Sequence, residues 1–201
     1  MQNDTLEEFV ILKCLYDEFY NDKFSRAAMI TILDSLRTQT NIPEHKKIAD
    51  NIHNKVTRLL RGYAPPEFEL YDLDSNLVTI DKFKGEYVYL GFCTSVSYAC
   101  IQEFEMLRSF YKRHSQHLKI VIICADSNYG QMKKFVRKRE YPWIFLHYGN
   151  NTKILNEFDI RAFPTYFFID KEGKLLLSPA PGPSENLELT LFKILKSRGD
   201  I

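Results

Sequence analysis

The chain has 201 residues, 45% hydrophobic and 26% charged, the composition of an ordinary globular protein with enough apolar surface to bury a core. A formal net charge of +1 gives no reason to expect nucleic acid or an anionic membrane as partner, since a balanced surface would hold neither. No run of about eighteen apolar residues occurs, so no membrane-spanning helix is expected. Met1 is followed by Gln2-Asn3-Asp4-Thr5 rather than an export signal, which leaves open whether Met1 is the native start.

Residues 5–61 read as helical. Phe9, Leu12, Tyr16 and Phe19 fall three and four apart, Met29, Leu33 and Leu36 repeat the pattern, and Ile48, Ile52, Val56 and Leu60 recur every fourth residue. Polar breaks at Asn21-Asp22 and over 38–41 divide this stretch into three short helices, and Pro43 suits a first helical turn, where its missing N–H costs nothing. This helical region, taken as 1–61, shows no catalytic constellation.

At Gly62-Tyr63-Ala64-Pro65-Pro66 two prolines forbid a continuing helix and mark a domain boundary. Extended segments follow over 68–73, 77–80 after the turn at Asp74-Ser75-Asn76, and 87–93, the last an unbroken apolar run of the kind found in central strands. Ile101, Phe104, Leu107 and Tyr111 then share a helix face. A buried strand over 118–125, a helix over 131–138, a short strand over 143–147 and a short helix over 152–158 come next. The chain closes with a strand over 165–170, a turn at Lys171-Glu172-Gly173, a strand over 174–177 and a helix over 185–196. Strands alternating with helices and ending in a hairpin predict an α/β fold with a mixed central sheet flanked by helices, preceded by the all-α appendage.

Four cysteines, Cys14, Cys93, Cys100 and Cys124, are too few and too irregular for a disulfide framework, and no Cys-x-x-Cys occurs. Cys14 and Cys124 lie in apolar runs and read as small buried hydrophobes. Five histidines are scattered without ligand spacing, so no metal or other cofactor is expected. Lys133, Lys134, Arg137, Lys138 and Arg139 read as the solvated face of a helix. Asn150-Asn151-Thr152 fits a glycosylation sequon or, more simply, a turn and helix cap.

Three stretches carry a resemblance. Ala64-Pro65-Pro66-Glu67-Phe68 with Leu77-Val78-Thr79-Ile80 and Phe83-Lys84-Gly85-Glu86-Tyr87-Val88 is one; Cys100-Ile101-Gln102-Glu103-Phe104 is the second; Phe163-Pro164-Thr165-Tyr166-Phe167-Phe168-Ile169-Asp170-Lys171-Glu172-Gly173 is the third. In this order they resemble the TlpA-like, peroxiredoxin-related (AhpC/TSA) branch of the thioredoxin-like superfamily, over roughly residues 62–198 of a domain taken as 62–201. The resemblance implies a thioredoxin-like domain, protein or peptide thiols and disulfides as partners, and location in a bacterial periplasm or cell envelope; oligomeric state stays open.

That family carries aromatic-Cys-x-x-Cys at a helix start, which falls on Val96-Ser97-Tyr98-Ala99-Cys100. Ser97 thus stands where the attacking cysteine belongs, Cys100 matches the resolving one, and Cys93 replaces a further aromatic residue. Thiol-disulfide exchange needs a thiolate to attack and a second thiol to release the mixed disulfide. A serine hydroxyl does neither, so the cycle is expected to be impaired and Ser97 to act as a helix N-cap. The resemblance makes Phe163-Pro164 a cis-proline bond that, with Tyr98, lines a groove for extended substrate, and sets Glu103 either to tune cysteine acidity or to be a surface charge. Three readings stay open: a redox-impaired family member, a non-catalytic peptide-binding scaffold, and residual thiol redox or peroxidase activity through Cys100 with or without Cys93. Ser97-x-x-Cys100 also resembles the Thr/Ser-x-x-Cys of peroxiredoxins, without the proline expected upstream.

Overall fold

The computed structural model describes residues 4–19, 21 and 23–201; of the break expected at Asn21-Asp22, Asp22 lies outside the described residues. The chain divides into two compact units, Met1–Arg58 and Leu59–Ile201.

The first unit holds α1 (Asp4–Glu18), α2 (Arg26–Gln39) and α3 (Pro43–Thr57). The Ser25 hydroxyl caps α2 by accepting the Ala28 N–H at 3.5 Å, and Pro43 opens α3. Leu12, Leu15, Phe19, Met29, Ile30, Leu33, Ala49, Ile52 and Val56 form its core. On α1 the expected stripe is misplaced. Phe9 and Tyr16 are exposed, and Leu15 joins Leu12 and Phe19 instead, because apolar residues surround this helix and more than one spacing fits. Cys14 is exposed as well, correcting its expected burial: it sits beside Val10 and Ile11 on an apolar groove of about 320 Å³ between α1 and α2. α3 ends at Thr57, short of Leu60. The Glu8 carboxylate ties all three helices, accepting the Thr40 hydroxyl at 2.6 Å and meeting His45 Nδ1 at 2.8 Å.

In the second unit a seven-stranded sheet runs in the order β2-β1-β5-β4-β3-β6-β7. Its strands are β1 (Glu69–Asp72), β2 (Leu77–Thr79), β3 (Tyr87–Cys93), β4 (Leu118–Cys124), β5 (Ile144–His147), β6 (Thr165–Ile169) and β7 (Leu175–Ala180). β3 pairs parallel with β4 and antiparallel with β6. Every residue of β3 is buried, because alternate side chains enter two cores. Tyr87, Tyr89 and Cys93 pack with Phe104 and Leu107 of α4 (Tyr98–His114), Met132 and Val136 of α5 (Tyr129–Arg139), and Leu187, Leu191 and Leu195 of α7 (Leu187–Arg198). Val88, Leu90 and Phe92 pack on the other side with Ile154 of α6 (Thr152–Glu157) and with Phe158.

Several bounds shift from expectation for visible reasons. A 3-10 turn over Ile80–Phe83 follows β2. α7 starts two residues late, since Glu185 is occupied accepting the Gly182 N–H at 2.9 Å and Asn186 is left-handed at φ 64°. Ahead of β1, the Gly62 N–H donates to the Leu175 carbonyl at 2.7 Å and the Leu175 N–H to the Tyr63 carbonyl at 2.8 Å, so these residues form part of the second unit.

Candidate thiol site

β3 ends at Cys93, and residues 94–97 carry the chain from the sheet into α4. Two serines fix that loop. Buried Ser95 donates its N–H to both carboxylate oxygens of Asp126 at 3.0 Å and its hydroxyl to Oδ1 at 2.6 Å. Half-buried Ser97 accepts the Cys100 N–H at 3.4 Å as the N-cap of α4, and donates its own N–H to the Thr94 carbonyl at 3.3 Å. His147, whose strand neighbour across the ladder is Cys124, offers Ser97 no base. Its Nε2 lies 2.6 Å from the Asp126 carbonyl and its Nδ1 accepts the Gly149 N–H at 3.1 Å.

Cys100 lies in the first turn of α4, without solvent exposure, as does Cys93; Cys124 is 2% exposed. The parallel register pairs Cys93 with Cys124. The Cys93 thiol donates to the Cys100 sulfur, and this is the main reason the Cys100 thiol is held down to about 7. Burial opposes it, the Ser97 hydroxyl and the Thr94 N–H add to it, and the Asp126 charge works against it. Burial pushes Cys93 and Cys124 well above the ordinary thiol range, and for Cys93 its bond to Cys100 adds to that. The thiol at the helix start is thus held below, and its neighbour at the strand end above, the ordinary cysteine range. Tyr166 of β6, stacked on Tyr89 with ring centroids 4.9 Å apart, borders Cys93.

The Phe163–Pro164 peptide bond is cis. The ladder joins Phe92 to Thr165, so Pro164 stands one residue past the last pair, next to the end of β3 where Cys93 sits. Tyr98 and Val96 are 75% and 80% exposed and flank the cap. Beside Pro164 opens a groove of about 710 Å³, with Phe158, Arg161, Tyr166 and Pro179 in its wall and Glu103 and Glu185 at its rim. Ser97 and Cys100 are not among its lining residues.

Glu103, expected either to tune the thiol or to be a surface charge, is engaged by the loop before α7. Its carboxylate accepts the Ser184 N–H at 3.0 Å and the Ser184 hydroxyl, tying α4 to the loop before α7, and the charge that bears on Cys100 is that of Asp126. Asn151 caps α6 by accepting the Lys153 N–H at 3.0 Å. On α5, Arg137 pairs with Asp74 and Arg139 with Glu105 at an exposed surface. Among the described residues no group of three His, Cys, Asp or Glu side chains is placed to hold a metal ion, and no helix is long and apolar enough to cross a membrane.

Sequence reasoning missed Asp126, Ser95, Tyr166, the third thiol of the cluster at Cys124, and a second cis bond at Ser178–Pro179. The one available signal was Asp126 closing an apolar strand run; its partner Ser95 is 31 residues away.

A mixed sheet in this strand order, a helix that starts on Ser97-x-x-Cys100 beside the central strand, and a cis-proline opening the antiparallel neighbour define a thioredoxin-fold protein of the thiol-disulfide oxidoreductase type. The AhpC/TSA family model matches residues 62–177, more than half the chain, and the chain belongs to that family. It is 26% identical over 116 residues to the thiol-disulfide oxidoreductase ResA of Bacillus cereus, covering 57% of this chain and 66% of that protein's length. It is also 26% identical over 198 residues to the chloroplastic peroxiredoxin Q of Populus jackii, covering 94% of this chain and 86% of that protein. The crystal structure of the thioredoxin domain of a Bacteroides vulgatus thiol-disulfide oxidoreductase superposes with a TM-score of 0.62 at 24% identity, over 68% of this chain and 98% of that one, a likeness of fold.

Proposed function

We propose that this protein binds extended segments of a protein partner beside cis-Pro164 but does not exchange disulfides at residues 97–100. The observation that carries this is Ser97 itself: at the attacking position stands a hydroxyl that accepts the Cys100 N–H as a helix cap. A hydroxyl at this position is not ionised near neutrality and forms no mixed disulfide, so the two-thiol cycle has no first step here. The groove at Pro164 supports the peptide-binding half of the reading, although Tyr98 is not among its lining residues. Protein or peptide thiols and disulfides as the ligand class, and a periplasmic or cell-envelope location, belong to this reading on the family resemblance.

The test is reduction of insulin disulfides with dithiothreitol as electron source. Wild type is expected to run at least about tenfold slower than Ser97→Cys, which restores a thiol pair across the helix start. Equal rates would overturn the proposal.

A further inference from the structure

We propose that the outer face of α5 is a docking surface for an acidic, extended segment of a protein partner, held by Lys133, Lys134, Arg137 and Lys138. This surface shares no residue with the groove at Pro164, so the inference goes beyond the functional reading above.

The charge on α5 is one-sided. Its 11 residues hold Lys133, Lys134, Arg137, Lys138 and Arg139, and no acidic residue occurs between Asp126 and Glu140. Met132 and Val136 turn inward, which leaves Lys134, Arg137 and Lys138 exposed and Lys133 half-buried. Lys134 and Lys138 are four residues apart, as are Lys133 and Arg137, so two like-charged pairs lie on one helix, an arrangement that weakens it. The negative end of the helix dipole accounts for Arg137, Lys138 and Arg139 in the last turn, where Arg108 also donates to the Arg139 carbonyl at 2.7 Å. It does not account for Lys133 and Lys134, which lie a turn further from that end.

Carboxylates are the groups this surface already takes at its margins. Arg137 meets Asp74 of the turn between β1 and β2 at 3.4 Å, and Arg139 meets Glu105 of α4 at 3.2 Å. All four side chains are exposed, and ion pairs of that kind are weak enough to exchange for the carboxylates of a partner. Lys134 and Lys138, between these margins, pair with no carboxylate among the described residues. The Lys133 ammonium lies 5.6 Å from the centroid of the Tyr129 ring and is likewise without a carboxylate there.

The distribution of charge selects the class of partner. The chain is +1 overall and α5 supplies five cations and no anion, so the remainder carries a net charge of −4. A nucleic-acid backbone or an anionic bilayer reaches past the patch and meets that opposing field. A short acidic segment stays within it. Lys133 and Lys138 are separated by about 7.5 Å along the helix axis. An extended chain covers that span in two to three residues, so three or more Asp or Glu within about six residues suffice to neutralise the face.

The test is a titration of a fluorescein-labelled peptide of alternating Glu and Gly with the full chain, followed by anisotropy. Saturable binding is expected in about 50 mM salt, weakening at least about fivefold in about 0.5 M salt, and the matching peptide of alternating Gln and Gly should not bind. Lys134→Gln combined with Lys138→Gln is expected to weaken binding at least about tenfold. Both side chains are exposed and the change removes a like-charged pair, so the far-ultraviolet dichroism should match wild type. Lys46→Gln combined with Lys47→Gln, exposed positions on α3 that alter net charge equally, should bind as wild type does. Equal loss in the two double variants would mean that net charge alone draws the peptide, and would overturn the proposal. So would binding that ignores Lys134 and Lys138, no saturable binding at all, or oligothymidylate or phosphatidylserine vesicles binding more tightly than the peptide through the same two lysines. Insulin reduction reads residues 97–100 and this titration reads α5, so either proposal can fail without the other.

Discussion

Ser97 and Cys93 both hold the Cys100 thiol down, and Cys93 has the larger effect. In reducing buffer, the ultraviolet absorbance of thiolate is therefore expected to rise first with a midpoint near about 7, assigned to Cys100 by its disappearance in Cys100→Ala. Cys93→Ala should move that midpoint upward; an unchanged midpoint would show that the thiol contact is not what holds Cys100 down. Stability follows with a definite sign. A thiol depressed in the folded state contributes stability that is present above its unfolded value of 9.0 and is lost as pH falls through about 7. Cys93 and Cys124 are raised, so their contribution is present below 9.0 and is lost as pH climbs past it. From these thiols the urea midpoint should rise between about pH 7 and 9 and fall beyond, and Cys100→Ala should remove the rise while leaving the fall.

At the scale of elements, β3 is the part that every other feature leans on, and Gly91 is its tightest point. A Cβ there would meet Ile122 Cδ1 at 2.7 Å and the Tyr166 ring at 2.8 and 2.9 Å. The isoleucine tip can turn away, but the ring is stacked on Tyr89 and borders Cys93. Gly91→Ala is thus expected to cost roughly 1–3 kcal/mol in urea unfolding; a change within about 0.5 kcal/mol, the range of an ordinary surface substitution, would mean the ring moves freely. β3 was also the most legible element in the sequence, its bounds of 87–93 matching the strand, because burial on both faces leaves an apolar run that few other structures produce. The Ser97 cap was legible for a similar reason, a polar residue directly ahead of helical spacing. What failed depended on which of several apolar faces turns inward, or on partners far apart in sequence. Cys14 looked like a core residue because its neighbours Val10, Ile11 and Leu15 are apolar, yet of those three only Leu15 is buried. Glu103 has its partner at Ser184, and Ser95 has its partner at Asp126, pairings that no local pattern announces.

At the scale of the whole molecule, the two units differ in how much core each supplies for itself. Both sides of the sheet are filled by residues from within 59–201, with fully buried Tyr89, Phe92, Phe104, Phe158 and Phe168 among them, and the strand pairings close within the same stretch. Unit Met1–Arg58 rests on a small set of aliphatic side chains and Phe19, near the size at which a single core barely offsets chain entropy. Residues 59–201 expressed alone are therefore expected to unfold in one cooperative urea transition, with the near-ultraviolet dichroism of a packed aromatic core. Residues 1–58 alone should show helical dichroism with a shallow transition, and Leu33→Ala in that fragment, losing roughly 2–5 kcal/mol, should abolish the transition altogether. If 59–201 instead lacks a cooperative transition, its core depends on the helical region and the two units are not separate folding bodies.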